Sequence, residues 1–297
     1  MSNPNSFTET DRQIQLQDGR RLGYAEYGDP QGQPVFYFHG TPGSRLYRHP
    51  DPTIVDSLGI RLITIDRPSY GLSDSQPKRS LLDWPDDVAA LANALDIDRF
   101  SIVGASGGGP YVAACAYKIP ERLTHAAMVS SGGPIDVPGA EEGLVSGRRS
   151  GFWVVKNAPW MLRPLIWLLR NPGRDPEHFA DQYESGFPES DLALYNQPEM
   201  RAIRIASYAE SARQGVGGFA QDLQVFARPW GFSLENIDME VRLWHGEEDG
   251  STPVAMGRYL ADTIPNCRAV FLPGEGHFVL FKYWREILSV LIADEPP

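Results

Sequence analysis

Residues 102–110 read Ile-Val-Gly-Ala-Ser-Gly-Gly-Gly-Pro, and the fold follows from this stretch. Its apolar start is typical of a buried strand, which runs directly into a Gly-x-Ser-x-Gly turn. Gly104 and Gly108 allow two backbones to approach closely, because neither residue carries a Cβ. Ser106 is therefore predicted to lie on a sharp strand-to-helix turn with its hydroxyl exposed, as a nucleophile requires. Taken alone, the same letters also fit a glycine-rich connection with an incidental serine.

The composition fits one α/β unit that carries an insertion. The chain has 297 residues, of which 42% are hydrophobic and 22% are charged, as in an ordinary globular enzyme. Its net charge of −11 argues against a nucleic-acid partner, which needs a basic face, and weakly against recruitment to anionic membranes. Cys115 and Cys267 belong to no metal-binding or redox motif, so neither kind of site is expected.

The sequence contains no segment that predicts secretion or a membrane span. Residues 1–10 lack the basic and apolar regions of a signal peptide. A span needs about 18 uninterrupted apolar residues, and the nearest stretch, residues 152–169, is broken by charged residues and prolines. We therefore expect a cytoplasmic protein without stable membrane association. A lipid-interface role for residues 152–169 is the minor alternative.

Short apolar runs alternate with helical periods along most of the chain. Asp18-Gly19 is a hairpin signal between the first two strands. Strands are predicted at residues 12–17, 21–27, 35–38, 62–65, 100–103, 126–129, 241–244 and 269–272, and helices at 108–118, 254–263, 278–292 and from Pro85 onward. An opening hairpin followed by β-α repeats predicts a mostly parallel sheet with helices on both faces.

Residues 135–237 interrupt this alternation. Roughly 100 residues separate two consecutive strands, far more than a crossover helix uses. The segment holds four of the seven tryptophans and is divided by prolines. We predict a helical cap here, inserted over the C-terminal edge of the sheet, with residues 1–134 and 238–297 as the core. Most of its aromatic residues would pack against the core, while Trp153, Trp160 and Tyr183 are the candidates for binding substrate.

A serine nucleophile needs a base to take its proton, and the base needs a partner that fixes its tautomer. His277 follows the last predicted strand, so it lies at the C-terminal edge of the sheet, where the Ser106 strand also ends. The acid is expected in the loop after the preceding strand. Asp249 is favoured there because the residues after it turn into the next helix, and Glu248 is the second choice.

The developing oxyanion needs preorganised hydrogen-bond donors. Residues 38–44, Phe-His-Gly-Thr-Pro-Gly-Ser, follow the third strand and supply a tight turn near the Ser106 strand. The backbone N–H groups of Thr41 and Gly107 are the natural pair, since Pro42 cannot donate. As an ordinary loop after a strand, the segment would carry no function.

Four motifs, each after a predicted strand, resemble those of the α/β-hydrolase fold superfamily. They are His39-Gly40-Thr41-Pro42, residues 66–74 (Asp-Arg-Pro-Ser-Tyr-Gly-Leu-Ser-Asp), Gly104-Ala-Ser-Gly-Gly108, and Asp249 with His277, and the resemblance covers about residues 12–293. The order of nucleophile, acid and base is that of this superfamily. The resemblance implies a mostly parallel eight-stranded sheet, a lid after strand six, and acyl-enzyme chemistry that uses no cofactor and no metal. Ser69 departs from the pattern, since similar proteins usually have glycine there.

The resemblance makes hydrolysis of a carboxylic ester of a small, largely apolar molecule the leading activity. Serine at position 106, rather than aspartate, argues against the epoxide-hydrolase and haloalkane-dehalogenase branches. Carbon–carbon bond hydrolases, lactonases, prolyl aminopeptidases and cofactor-free perhydrolases share the triad, and some receptors keep one mainly to bind a ligand. A dinucleotide-binding turn is rejected, because its spacing needs glycine where Pro110 stands. The oligomeric state is left open.

Overall fold

The computed structural model describes residues 7–135, 142, 146–184 and 187–293. Within these ranges one sheet of eight strands forms, and the strands are β1 (Phe7–Gln15), β2 (Arg21–Gly28), β3 (Gln33–Phe38), β4 (Ile60–Ile65), β5 (Phe100–Ala105), β6 (Leu123–Val129), β7 (Val241–Gly246) and β8 (Cys267–Leu272). Their order across the sheet is β1-β2-β4-β3-β5-β6-β7-β8. β2 is antiparallel to β1 and β4, and the other pairings are parallel. The predicted mostly parallel eight-stranded sheet is confirmed.

Helices precede or follow most strands of the described chain. They are α1 (Thr53–Ser57), α2 (Trp84–Ala94), α3 (Gly109–Lys118), α4 (Ser146–Asn157), α5 (Leu162–Leu169), α6 (Pro176–Glu184), α7 (Glu189–Tyr195), α8 (Pro198–Ser211), α9 (Gly217–Phe226), α10 (Val254–Thr263), α11 (Val279–Lys282) and α12 (Trp284–Leu291). The predicted helix at 278–292 is thus two helices separated at Tyr283. None of the helices in the described ranges is long and apolar enough to cross a bilayer.

Helices α4 to α9 all lie between β6 and β7, and we term them the inserted segment. The helical content expected there is present in the described residues. β6 ends at Val129 and β7 begins at Val241. The division into a core and a cap at residues 135 and 237 stays a prediction.

The central strands are mainly apolar, as expected where helices cover both faces of a sheet. Phe36 and Phe38 of β3 pack into one buried cluster, while Val35 and Tyr37 pack into another. This alternation follows from the period of two in a strand, which sends neighbouring side chains to opposite faces. The first cluster includes residues of α2 and α3, and the second includes residues of α12. Both sides of β3 and β5 are therefore fixed by packing.

The parallel pairing places the loops of interest on one edge. β3, β5, β6, β7 and β8 are neighbours in that order and run in the same direction. Their C-terminal ends consequently meet at one edge, where ligand sites of open α/β sheets form. The loops that start at His39, Ser106 and Glu247 all begin there.

Candidate active site

Ser106 lies between β5 and α3 in a backbone conformation that few residues other than glycine adopt. Its backbone φ is 54°, in the left-handed region. A Cβ on Gly104 would lie 2.5 Å from the Gly108 carbonyl oxygen, and a Cβ on Gly108 would overlap the carbonyl oxygen of Phe38. Only glycine fits at these two positions, as expected for a turn in which two backbones touch. Strain of this kind is concentrated at functional sites. Here the close packing of the turn holds the half-buried Ser106 at the end of β5.

Asp249 and His277 meet at the ends of β7 and β8. Asp249 Oδ2 lies 2.8 Å from His277 Nδ1. The backbone N–H groups of Ser251 and Thr252 donate to Asp249 Oδ1 at 2.8 and 2.9 Å, and Thr252 Oγ1 donates to Oδ2 at 2.7 Å. Both carboxylate oxygens are thus held in place, and the carboxylate is aimed at the histidine ring.

The environment of Asp249 keeps this carboxyl ionised. Burial disfavours its charged form, but the charge that His277 can carry and the hydrogen bond between them outweigh burial and lower the pKa of Asp249 to about 2. An ionised carboxylate accepts from Nδ1, so the bond assigns the ring proton to Nδ1 and leaves Nε2 as an acceptor. Glu248 is exposed, so the structure brings Asp249, and not Glu248, to His277.

Thr41 and Gly107, the two predicted oxyanion donors, lie beside each other. A Cβ on Gly107 would overlap the Thr41 side chain and would lie 3.2 Å from the ring of Phe226. Gly40, the residue before Thr41, lies next to Ser106, since a Cβ on Gly40 would lie 3.4 Å from Ser106 Cβ. The turn after β3 and the turn after β5 are therefore in contact. Donation by the two N–H groups to an oxyanion stays a prediction.

Ser106 opens into a cavity of about 460 Å³ between the sheet edge and the inserted segment. The core side of its wall carries the hydroxyl-bearing residues Thr41, Ser106, Ser251 and Thr252. The inserted segment supplies a mainly apolar wall that includes Val154, Leu162, Ile166, Tyr183, Phe219 and Leu223. An apolar cavity with a few convergent polar groups is the usual form of a small-molecule site.

Of the three aromatic residues predicted to bind substrate, only Tyr183 lines the cavity. Trp153 and Trp160 are 61% and 72% exposed, and both assignments are corrected. Trp160 lies in the turn between α4 and α5, and for Trp153 the reason is the face of the helix. Val155, two positions after Trp153, is buried on the inner side of α4, and two helical positions are rotated by roughly 200°. Aromatic content predicted a pocket wall without identifying which side of each helix faces it.

Asp222 of α9 is a site residue that sequence reasoning missed. This fully buried carboxylate accepts hydrogen bonds from Thr41 (2.8 Å), Arg67 (2.7 Å), Tyr70 (2.9 Å), Arg79 (2.5 Å) and Tyr111 (2.7 Å). Burial opposes its charged form, but Arg67 and Arg79 hold the pKa of Asp222 well below the ordinary value. Asp222 therefore fixes the Thr41 side chain from the inserted segment. The only sequence signal is indirect, since two arginines in core loops need a counter-charge.

Asp191 of α7 makes a second connection, to the loop that carries the histidine. Its Oδ2 accepts the N–H of His277 at 2.8 Å and its Oδ1 accepts the N–H of Phe278 at 3.1 Å. A Cβ on Gly276 would overlap this carboxylate, so glycine makes room for the contact. Asp191 thus holds the backbone of His277, and no motif in the sequence announces it.

His245, the fifth residue of β7, lies against the other side of Asp249. Its Nε2 is 2.8 Å from the carbonyl oxygen of Thr252 and 3.6 Å from Asp249 Oδ2. Burial lowers the pKa of His245, so the ring is neutral near pH 7 and donates to Thr252. This bond stabilises the loop whose N–H groups hold Asp249. Among the described residues, no three His, Cys, Asp or Glu side chains are grouped to bind a metal ion.

Comparison with known proteins agrees with this fold. The sequence profile of the alpha/beta hydrolase fold family matches residues 33–282. The chain is 25% identical to a 2-hydroxymuconate semialdehyde hydrolase of a Pseudomonas species, over 98% of this chain and 95% of that one. It is 33% identical over 126 residues to a non-heme chloroperoxidase of Streptomyces lividans, a match that spans only 46% of that relative. The esterase RhEst1 from a Rhodococcus species has the same fold, with a TM-score of 0.67 and 22% identity over 95% of this chain and 98% of that one.

The chain belongs to the alpha/beta hydrolase fold family, because that match covers most of its length. It is a hydrolase by class. The expected membership is confirmed, while the individual roles of Ser106, Asp249, His277, Thr41 and Gly107 rest on the geometry above.

Proposed function

We propose that the protein is a serine hydrolase that cleaves a carboxylic ester of a small, largely apolar molecule through an acyl-enzyme. One observation carries the proposal. The strained Ser106 opens into an apolar cavity, and the same edge of the sheet carries a buried Asp249–His277 pair. The inserted segment would act as the cap of this cavity. No cofactor is needed, since acyl transfer to serine uses only these groups.

In the proposed first step, Ser106 Oγ attacks the acyl carbon while its proton moves to His277 Nε2. The N–H groups of Thr41 and Gly107 stabilise the negative oxygen of the tetrahedral intermediate. Collapse breaks the bond to the alcohol oxygen, which takes the proton from Nε2 and leaves the acyl group on Ser106. Water then repeats the sequence, releasing the acid and restoring the serine hydroxyl.

Asp249 serves this cycle by holding the imidazole. Its buried carboxylate keeps the proton on Nδ1 and stabilises the imidazolium that forms when Nε2 is protonated. Among the described residues, no hydrogen bond joins Ser106 Oγ to His277, whose ring contacts Asp249 and Thr252. Catalytic hydrogen bonds commonly shorten only when substrate fills the site, so we expect this one in the acyl-enzyme cycle.

The test is labelling with a fluorophosphonate probe together with turnover of short p-nitrophenyl esters. Ser251 supplies a matched control, because it is a second serine on the same cavity wall. We expect the native chain and Ser251→Ala to be labelled and Ser106→Ala to remain unlabelled. Labelling of Ser106→Ala, or no turnover of any activated ester by a chain that binds one ligand tightly, would contradict the proposal. The second of these results would favour a receptor.

A further inference from the structure

The stretch from α4 through α5, including the turn between them, exposes an unusual amount of apolar surface. It comprises Trp153 (61% exposed), Trp160 (72%), Met161 (42%), Trp167 (53%), Leu168 (62%) and Leu169 (63%), which we term the exposed aromatic face. In the described chain, the other large hydrophobic residue that is equally exposed is Val270. Apolar surface concentrated in this way on one short segment marks an interaction site.

The inner sides of α4 and α5 are packed together in the core of the inserted segment. Val155 of α4 and Leu162 and Ile166 of α5 are buried in the same small cluster as residues of α9. Trp153, Trp167 and Leu168 therefore lie on the solvent-facing side of the two helices, Trp160 and Met161 lie between the helices, and Leu169 lies at the rim of the cavity. The core contacts of the two helices are made by other residues, so the exposed residues are not needed to fill the core.

The charge around this face is opposite to that of the whole chain. Residues 143–174 contain six Lys or Arg and no Asp or Glu, in a protein whose net charge is −11. Lys156, Arg163, Arg170 and Arg174 are exposed in the structure. The Arg174 guanidinium lies 4.1 Å from the centre of the Trp167 ring, so cation and aromatic residue belong to one surface.

The same surface borders the opening of the cavity. Leu169 and Arg170 are exposed, and both also line the cavity into which Ser106 opens. A molecule held at the exposed aromatic face is therefore next to the entrance. Helices α4 and α5 lie between the cavity and the solvent, with Leu162 and Ile166 on the cavity side.

We propose that the exposed aromatic face docks on the surface of an anionic lipid bilayer. Tryptophan rings favour the headgroup region, leucine side chains enter the acyl boundary, and Lys and Arg side chains are attracted by anionic headgroups. A second copy of this chain fits less well, because two such faces would bring eight exposed cations together. Acidic residues farther than about 8 Å from the face are screened at physiological salt, while the exposed Asp175, which directly follows Arg174, offsets part of the positive charge.

The experiment is vesicle co-sedimentation of the full chain carrying Ser106→Ala, so its result does not depend on ester hydrolysis. The probes are vesicles of equal parts phosphatidylglycerol and phosphatidylcholine, and vesicles of phosphatidylcholine alone. One variant adds Trp167→Ser and Leu168→Ser, and another adds Lys156→Glu and Arg163→Glu. Their controls add Val270→Ser and Arg228→Glu, which alter an exposed apolar residue and an exposed cation elsewhere. Thermal unfolding of each variant verifies that it is folded.

We expect binding to the anionic vesicles that weakens as salt is raised. Each double variant of the face should lower the partition coefficient at least about tenfold, because each removes two side chains that would bind the bilayer surface. The two control variants should bind like their parent. Equal binding to both kinds of vesicle, no binding, or binding that the face variants leave unchanged would each overturn the proposal. So would concentration-dependent self-association of the parent that the face variants abolish.

Discussion

The sheet edge and the inserted segment build the cavity in different ways. The edge supplies Ser106, Asp249 and His277 from loops that directly follow strands, and their positions depend on tight backbone turns. The inserted segment supplies the apolar wall and two buried carboxylates, Asp191 and Asp222, which bond to the core loops. The core thus positions the proposed catalytic residues, while their alignment depends partly on contacts from the inserted segment.

This difference has an energetic consequence. Altering a proposed catalytic group at a strand end should cost a large part of the rate and less stability than removing a buried counter-charge, because its neighbours remain packed. Removing a carboxylate that neutralises buried arginines should cost much more stability, since it leaves unpaired charge in the interior. The predictions below separate these two behaviours.

The largest effect is expected at the acid of the sheet edge. Asp249→Asn keeps the shape of the side chain but offers an N–H where His277 needs an acceptor, so the ring adopts the wrong tautomer. We expect kcat for a p-nitrophenyl ester to fall by about 10,000-fold. Steady-state kinetics, with the fold monitored by circular dichroism, measures this.

Glu248→Gln is the control for this prediction, because it removes the neighbouring carboxylate, which is exposed. Its kcat should stay within about twofold of the native value, as surface changes away from a site have small effects. A larger loss from Glu248→Gln than from Asp249→Asn would move the role of the acid to Glu248.

The next effect concerns the inserted segment. Asp222→Asn leaves Arg67 and Arg79, both almost completely buried, without their counter-charge. We expect the free energy of unfolding to fall by about 3–5 kcal/mol, as is typical when one partner of a buried ion pair is removed. Urea unfolding measures it. Asp86→Asn removes an exposed partner of Lys118 and should cost at most about 1 kcal/mol. Equal costs for the two variants would show that Asp222 does not connect the segment to the core.

A third, smaller effect tests the sheet edge by pH. The pKa of Asp249 is lowered from 3.8 to about 2 in the folded protein. A depressed carboxyl pKa stabilises the folded state above the unfolded pKa, and this stabilisation is lost as pH falls through the folded pKa. It amounts to about 2 kcal/mol at neutral pH, of which about half is lost by pH 3. The difference in unfolding free energy between the native chain and Asp249→Asn should therefore shrink from pH 6 to pH 3. A difference that does not change would contradict the environment described for Asp249.

The same division explains how much the sequence alone could predict. The positions of Ser106 and His277 at the sheet edge were predictable because strand patterns are strong and the C-terminal ends of parallel strands share an edge. Asp249 was separable from Glu248 by the turn that follows it. Asp191 and Asp222 were not predictable, because their contacts join positions far apart in the chain. Trp153 and Trp160 were assigned to the cavity although both are exposed to solvent, since composition carries no information on the direction that a side chain faces.

The smallest effect lies at the junction of the two regions. Ser69 has a φ of 71°, in the left-handed region that favours glycine, and a Cβ on Gly218 of α9 would lie 2.8 Å from the Ser69 carbonyl oxygen. Ser69→Gly should raise the free energy of unfolding by about 0.5–1 kcal/mol, because the relief of strain exceeds the added freedom of the unfolded chain. Ser233→Gly is the control, since Ser233 is exposed with an ordinary φ of −92°, and it should lower stability slightly. Urea unfolding of both variants decides the point: a loss of stability in Ser69→Gly as large as in Ser233→Gly would mean that the serine side chain, within 3.5 Å of Gln221 of α9, holds the junction more than its backbone strains it.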